Sequence, residues 1–357
     1  MTDNIPMYFL GANAPGGFVS HFADVYDVTE GWRVYIIKGG PGTGKSSLMR
    51  RVAEAAADRG EAVWVSPCSS DPDSLDAAVM PNMRVCLMDG TAPHVVEPQY
   101  PGMCEVIINL GDHYDIDMLA LSADRLYPKC IDNAALHARA SRYITAAGQM
   151  MADSMKLAAA CTDMSGAAAY GAKLARRMLP DKAGRAGREQ MRFLSAVTPR
   201  GFMFLSGTVT ATCPTIKAVE DEYGAVSEAM LSAFRLVALE RGYDIINCRS
   251  PFMPNGAPEH VLVPEAGVAL CTCNRRMPLD VTRLIRSERF TDTEALRRHK
   301  QRLSFNRRAV DQLIEAAVDT LAAAKLTHDQ MEHFYIEAMD FDAVNRRTDA
   351  LIQRIFG

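Results

Sequence analysis

Short, nearly uninterrupted apolar runs alternate along the chain with longer stretches whose apolar positions recur every three or four residues. Residues 32–38 (WRVYIIK), 62–66 (AVWVS), 84–89 (RVCLMD) and 105–110 (EVIINL) are the strand-like runs near the start. Runs of this kind suit strands covered on both faces, as in a mostly parallel sheet with helices above and below. Residues 47–60 (SLMRRVAEAAADRG) carry a helical period and stop at Gly60, a C-terminal signal. Residues 133–160 are Ala- and Met-rich, with Gly148 the sole Gly or Pro, and are expected to be helical. Late in the chain Val310, Leu313, Ile314, Ala317, Val318 and Leu321 fall on one helical face, spaced for core packing.

The pattern repeats. MYFLGANAPGGF at 7–18 returns as MRFLSAVTPRGF at 191–202: Met7, Phe9, Leu10, Ala12, Pro15, Gly17 and Phe18 each meet the same residue type 184 positions later. Arg59-Gly60 returns as Arg241-Gly242, and Pro81, Val85 and Leu87 as Pro264, Val268 and Leu270. Matches that keep order and spacing point to a tandem duplication. The expected division is 1–190 (α/β at 1–114, helical at 115–190) and 191–357 (α/β at 191–285, helical at 286–357).

Composition narrows the class. The 357 residues are 48% apolar and 23% charged with net charge −4, which fits a globular chain and offers no basic excess for nucleic acid. The basic stretch Arg297, Arg298, His299, Lys300, Arg302, Arg307 and Arg308 lies on a helical pattern and reads as a solvated face. No apolar run approaches membrane-spanning length, and the N-terminus lacks a secretory pattern. The nine scattered cysteines contain no C-x-x-C pair, so reduced thiols and a cytoplasmic location are expected, with no membrane or nucleic-acid partner.

The strongest chemical signal is Gly39-Gly40-Pro41-Gly42-Thr43-Gly44-Lys45-Ser46, followed by Ser47. This is the Walker A spacing G-x-x-x-x-G-K-[ST], set between an apolar strand and an amphipathic helix. Its glycines let backbone N–H groups converge on phosphate oxygens. Lys45 supplies a point charge to the β- and γ-phosphates, and the Ser46 hydroxyl is placed for Mg²⁺. The helix that follows aims its positive end at the same anion.

Asp89, closing VCLMD, is the expected second magnesium contact, since such sites need a carboxylate at a neighbouring strand end. Gly90 follows it, so a catalytic Glu at that position is absent. Asp71, Asp73 and Asp76 in CSSDPDSLD stand at the end of the second strand, where ligands of open α/β sheets gather. They either position an attacking water or a second substrate, or simply shape a turn around Pro72. His94 and Asp112 lie near the same edge with weaker claims. Aligned through Arg59 and Arg241, the second half sets Ser227 in the place of Lys45, Glu228 in that of Ser46 and Thr272 near that of Asp89. That half is therefore expected to bind no nucleotide.

These residues resemble the P-loop NTPase superfamily, and more narrowly a group of bacterial tandem P-loop proteins of ATPase or nucleotide-kinase-like type. The phosphate loop, CSSDPDSLD, LMDGTAPH and the duplication carry the resemblance. It implies an α/β fold of tandem duplicated P-loop NTPase-like domains, each followed by a helical segment. It also implies ATP and Mg²⁺ as ligands, and the absence of an N-K-x-D guanine motif agrees with ATP. In that group both halves can carry a phosphate loop, whereas this chain keeps only the first. Three activities fit: an ATPase, a small-molecule or nucleotide kinase, and a non-catalytic ATP-dependent switch, with an unknown second substrate or protein partner. Lys45, Asp89, Asp71 and Asp73 are the expected catalytic residues. Arg176, Arg177, Arg185, Arg188 and Arg192 are available to complete the site from the inter-repeat segment.

Overall fold

The computed structural model describes residues 5–92, 95–182 and 184–357. The first half runs through a hairpin, β1 (Gly11–Ala14) and β2 (Gly17–Ser20), then β3 (Arg33–Lys38), α1 (Lys45–Ala57), β4 (Trp64–Pro67), β5 (Leu75–Met80), β6 (Val85–Asp89) and β7 (Glu105–Asn109). Helices α2 (Ile116–Leu121), α3 (Ala123–Ala160) and α4 (Met164–Met178) follow. The second half runs through β8 (Glu189–Arg192), β9 (Ser195–Thr198), β10 (Gly201–Phe204), α5 (Ser206–Thr212), β11 (Thr215–Glu220), α6 (Ala225–Glu240), β12 (Ile245–Ser250), β13 (Met253–Val263), β14 (Val268–Cys273) and β15 (Leu284–Arg286). It ends on α7 (Thr293–Arg297), α8 (Lys300–Glu337) and α9 (Phe341–Phe356).

The chain is mixed α/β. Of its two larger sheets one has the order β4-β5-β6-β3-β7 and the other β15-β11-β14-β13-β12-β8, beside the two-stranded pairs β1-β2 and β9-β10. Strand β3 pairs parallel with β6 and β7, as β11 does with β14 and β15. Strand β5 runs antiparallel to β4 and β6, as β13 does to β12 and β14. The sheets are thus mixed rather than mostly parallel. The reason is β5: LDAAVM begins inside a stretch that reads as a turn, and a hairpin rather than a helical crossover connects it to β6.

Alternation along β3 explains its unbroken apolar run. Val34 and Ile36 enter a core shared by both halves, with Tyr8, Phe9, Trp64, Phe193, Leu194 and Ile246. Tyr35 and Ile37 face the opposite way, into a core with Leu48, Met49 and Val52 of α1. Both faces are covered, so no polar alternation survives.

Helices α3 and α8 lie antiparallel, each 38 residues and so about 57 Å long. Lys129 Nζ donates to Gln330 Oε1 at 2.6 Å near one end, and Asn306 Nδ2 to Ser154 Oγ at 3.1 Å near the other. Helix α3 begins ten residues earlier than its Ala-rich pattern suggests and carries Pro128 inside it.

The helices that follow are exchanged between the halves. Helix α4 packs on α6, where a Cβ on Gly171 would stand 2.2 Å from the Met230 carbonyl oxygen. Helix α9 packs on α1: Val344 and Leu351 share a core with Leu48 and Val52, and Arg51 pairs with Asp349 at 2.5 Å. The boundary near residue 190 separates two α/β segments, yet each segment is roofed by a helix from the other. Among the described residues, no helix is long and apolar enough to cross a membrane.

Candidate nucleotide site

Strand β3 delivers the chain into residues 39–44, and α1 starts at Lys45. Gly42 and Gly44 adopt φ of 66° and 86°, a region open to glycine but costly for other residues. The loop is folded closely against the late helices. A Cβ on Gly40 would stand 2.7 Å from the Tyr335 ring, and one on Gly42 would stand 2.9 Å from Ile336. The Gly40 N–H donates to the Tyr114 hydroxyl, whose ring lies 5.7 Å from that of Tyr335. Burial pushes the phenol of Tyr114 above its usual range.

Lys45 Nζ donates to the carbonyls of Gly39 (2.8 Å) and Gly40 (2.7 Å) and lies 3.6 Å from Asp89 Oδ2. Asp89 closes the strand next to β3, opposite Ile37, which sets it at the mouth of the loop. Thr91 fixes its carboxylate, donating to Oδ1 from N–H (2.8 Å) and hydroxyl (2.5 Å). Lys38 secures the segment beyond by donating to the Gly90 and Val96 carbonyls, each at 2.8 Å. Ser46 Oγ accepts from Leu75 N–H at 2.9 Å.

Among the described residues, the backbone N–H groups of residues 42–47 have no protein acceptor. Six donors at a helix start form an anion-binding arrangement, reinforced by the helix dipole. The loop opens onto a cavity of about 1220 Å³ between the sheet edge and the α3–α8 pair. Gly40, Pro41, Gly42, Thr43, Gly44, Lys45, Ser46 and Ser47 line it, as do Asp71, Asp73, Asp76 and Asp89. Gly39 takes part through its carbonyl.

In CSSDPDSLD the structure shows the turn, and Asp71, Asp73 and Asp76 line the cavity. A turn forms around Pro72, with Ser74 N–H donating to the Asp71 carbonyl at 2.8 Å, and Ser74 Oγ donates to the Asp71 carboxylate at 2.7 Å. Asp71 also faces Lys325 of α8 at 3.7 Å. Asp73 pairs with Arg200, from the β9–β10 turn of the second half. Asp76 belongs to β5, a strand the sequence pattern does not reveal. Extending the register Ala77↔Met88 by one residue sets Asp76 beside Asp89 on the same face. Asp112 accepts from Asn109 at 2.6 Å and does not line the cavity. His94 lies outside the described residues.

The inter-repeat arginines do not reach the loop. Arg185 and Arg188 pair with Asp244, Asp27 and Glu30. Arg192 is buried over the rings of Tyr8 and Trp64, and the Arg176 carbonyl accepts from Arg241. The cavity draws cationic side chains from elsewhere: Arg50 of α1, Arg142 of α3 and Lys325 of α8. His137 and His328 face it too, and burial, then its neighbour His328, holds His137 below the usual imidazole range. Their residue types give no advance sign of this, because only the antiparallel helix pair brings positions about 190 residues apart together.

The donor set suits magnesium. Mg²⁺ takes hard oxygens and is usually held by one or two protein groups together with phosphates and water. The Ser46 hydroxyl and the Asp89 carboxylate at one loop mouth meet that need. Among the described residues, no cluster of three His, Cys, Asp or Glu side chains forms a self-sufficient metal cage.

The second half has the same strand–loop–helix arrangement with different chemistry. Gly224 (φ 84°) precedes α6 as Gly44 precedes α1, and Thr272 stands opposite Val219 as Asp89 stands opposite Ile37. The loop at 221–224 is two residues shorter than that at 39–44. The residue occupying the Lys45 position is therefore Ala225, and Ser227 and Glu228 fall two places further into the helix than the sequence alignment sets them.

Comparison with known proteins finds no matching family model, no matching curated protein and no matching solved structure.

Proposed function

We propose that the protein binds ATP with Mg²⁺ at residues 39–47 and hydrolyses it, and that its two halves descend by duplication from a P-loop NTPase-like unit. The observation that carries this reading is the set of six acceptor-free N–H groups at 42–47, with Lys45 and Asp89 beside them. On this reading the N–H groups and Lys45 hold the phosphates, and Lys45 turns from the Gly39 and Gly40 carbonyls to the anion. Ser46 and Asp89 hold the magnesium, which supplies charge neutralisation when bound. Asp71 or Asp76 orients the attacking water.

A second reading, a kinase, draws on the size of the cavity. At about 1220 Å³ it exceeds the roughly 300–1,000 Å³ of a single small-molecule site and has room for an acceptor beside the nucleotide.

Incubation with ATP and Mg²⁺, following phosphate and ADP release beside Lys45→Ala, tests both. Steady turnover lost in Lys45→Ala supports the ATPase. Tight ATP binding without turnover rejects it and directs attention to acceptors. No ATP binding rejects both.

A further inference from the structure

Asp221 is 4% exposed, yet its carboxylate is not idle. Oδ1 accepts from the N–H groups of Tyr223 (3.2 Å) and Gly224 (3.0 Å), and Oδ2 from that of Ser227 (2.9 Å) at the start of α6. These donors belong to the second half's counterpart of the first-half loop, whose N–H groups at 42–47 have no acceptor among the described residues. The shorter loop brings a carboxylate back over its own helix start, and the helix dipole favours it there.

We propose that the Asp221 carboxylate is the resident anion of the second loop, taking the place of a tetrahedral oxyanion, and that its removal uncovers a binding site for phosphate or sulfate. A second feature of the same place points to a ligand. A cavity of about 150 Å³ adjoins the loop, and Ser227, 2% exposed, lines it with an Oγ that has no hydrogen-bond partner among the described residues. Arg276, paired with Asp311 at 2.7 Å, and Arg307 line it beside the carboxyl groups of Glu222, Glu228 and Glu259, so an oxyanion is expected at the N–H groups that Asp221 vacates rather than deeper in the cavity. A cavity of that size admits a benzene-sized guest, which is ample for an oxyanion.

The inference extends the reading of the first loop by giving the second half a role. Helices α3 and α8 span both loops: Met155 lies over Gly224 (3.5 Å from its Cβ position), while Ile336 lies over Gly42. The second half is thereby fixed in an anion-loaded form, and a ligand cycle at the first loop works against a constant partner.

The test is chemical rescue in the full chain. Wild type, Asp221→Ala, and each of these with Lys45→Ala are melted in sodium chloride, phosphate and sulfate at matched ionic strength. The Lys45→Ala background weakens the first loop's contribution, and what its N–H groups still contribute is common to the variants with and without Asp221, so failure of the nucleotide reading does not affect this result. The same salts on Lys45→Ala alone measure the general stabilisation these ions give any protein. Asp221→Ala is expected to lower Tm in chloride. Phosphate and sulfate are expected to restore more than half of that loss, saturably, with or without Lys45→Ala. Rescue no larger than the gain of the Asp221-containing control overturns the proposal. Should Asp221→Ala not fold in chloride, refolding in phosphate is expected to recover it. Recovery in neither salt, with Asp221→Asn folding normally, also overturns it.

Discussion

Phe9 and Phe193 exchange backbone hydrogen bonds in both directions, each N–H donating to the other's carbonyl at 2.9 Å. They occupy the same place in the two copies of the repeated segment, 184 positions apart. Equivalent residues that pair antiparallel with one another lie on a local two-fold axis, as at an isologous dimer contact. Both side chains are fully buried in the core shared by the two sheets. Truncating either one therefore empties the same central space. Phe9→Ala and Phe193→Ala are each expected to cost about 3–5 kcal/mol in urea unfolding, with the double variant less than additive because the residues touch. Equal and fully additive losses would argue against a shared core.

Asp89 is held by Thr91 and faces Lys45 at 3.6 Å. Asp89→Ala is expected to reduce ATP turnover about 100-fold or more, the scale on which electrostatic catalytic groups act, and to raise the magnesium concentration needed. Its urea midpoint should fall too, because Thr91 and Lys45 lose their partner, so turnover is compared under conditions where both proteins are folded. Unchanged turnover at saturating magnesium would remove Asp89 from the site.

Gly40 and Tyr335 are in such close approach that a methyl group at 40 has no room. Gly40→Ala is expected to weaken ATP binding by displacing the end of α8 and to cost about 1–3 kcal/mol in stability, the range for overpacking. Tyr335→Ala in the same chain should recover part of the stability, since the Tyr114 hydroxyl would still stand 2.9 Å from the added methyl group. A double-mutant cycle on urea unfolding and on nucleotide titration measures both, and no coupling would show that the approach is not tight.

Glu259 gives the fold a pH dependence. Burial raises its carboxyl to about 7, against a usual value near 4.5. The folded chain then holds a proton that the unfolded chain has released, so stability due to this group falls as pH rises from about 4.5 through 7. Glu259→Gln keeps the neutral form and should become the more stable protein above pH 7, by an amount of the order of 2–3 kcal/mol. The two should converge near pH 5. Neighbouring His260, pushed down to about 3 by burial, adds stability in the opposite direction up to about pH 6.5, and cancels when the two proteins are compared. Urea midpoints from pH 5 to 8 check the trend.

The four apolar runs near the start all appear as strands, displaced by a residue or two, because β-branched runs covered on both faces need no partner to be recognisable. Strand β5 was not legible: Asp76 within LDAAVM looks like part of a turn, and its burial depends on β4 and β6 on either side. The glycine-rich turn at 39–44 between β3 and α1 was legible, since its glycines at 42 and 44 are required by backbone angles. The arginine positions were not. Arg192 and its neighbours are close to the halves' boundary in sequence, yet they are spent on a buried ring stack and surface ion pairs.

The sequence alone determined the loop at 39–46, the repeated segment around Phe9 and Phe193, and the absence of a Lys at the corresponding place in the second half, for each depends on residue types a few positions apart. Tertiary structure decided the rest. It exchanged α4 and α9 between the halves, placed α8 over the loop, and turned the Asp221 carboxylate onto the start of α6. These relationships join residues far apart in the chain or depend on a loop shorter by two residues. Their energy lies in burial and hydrogen bonds that exist only once both halves are folded together.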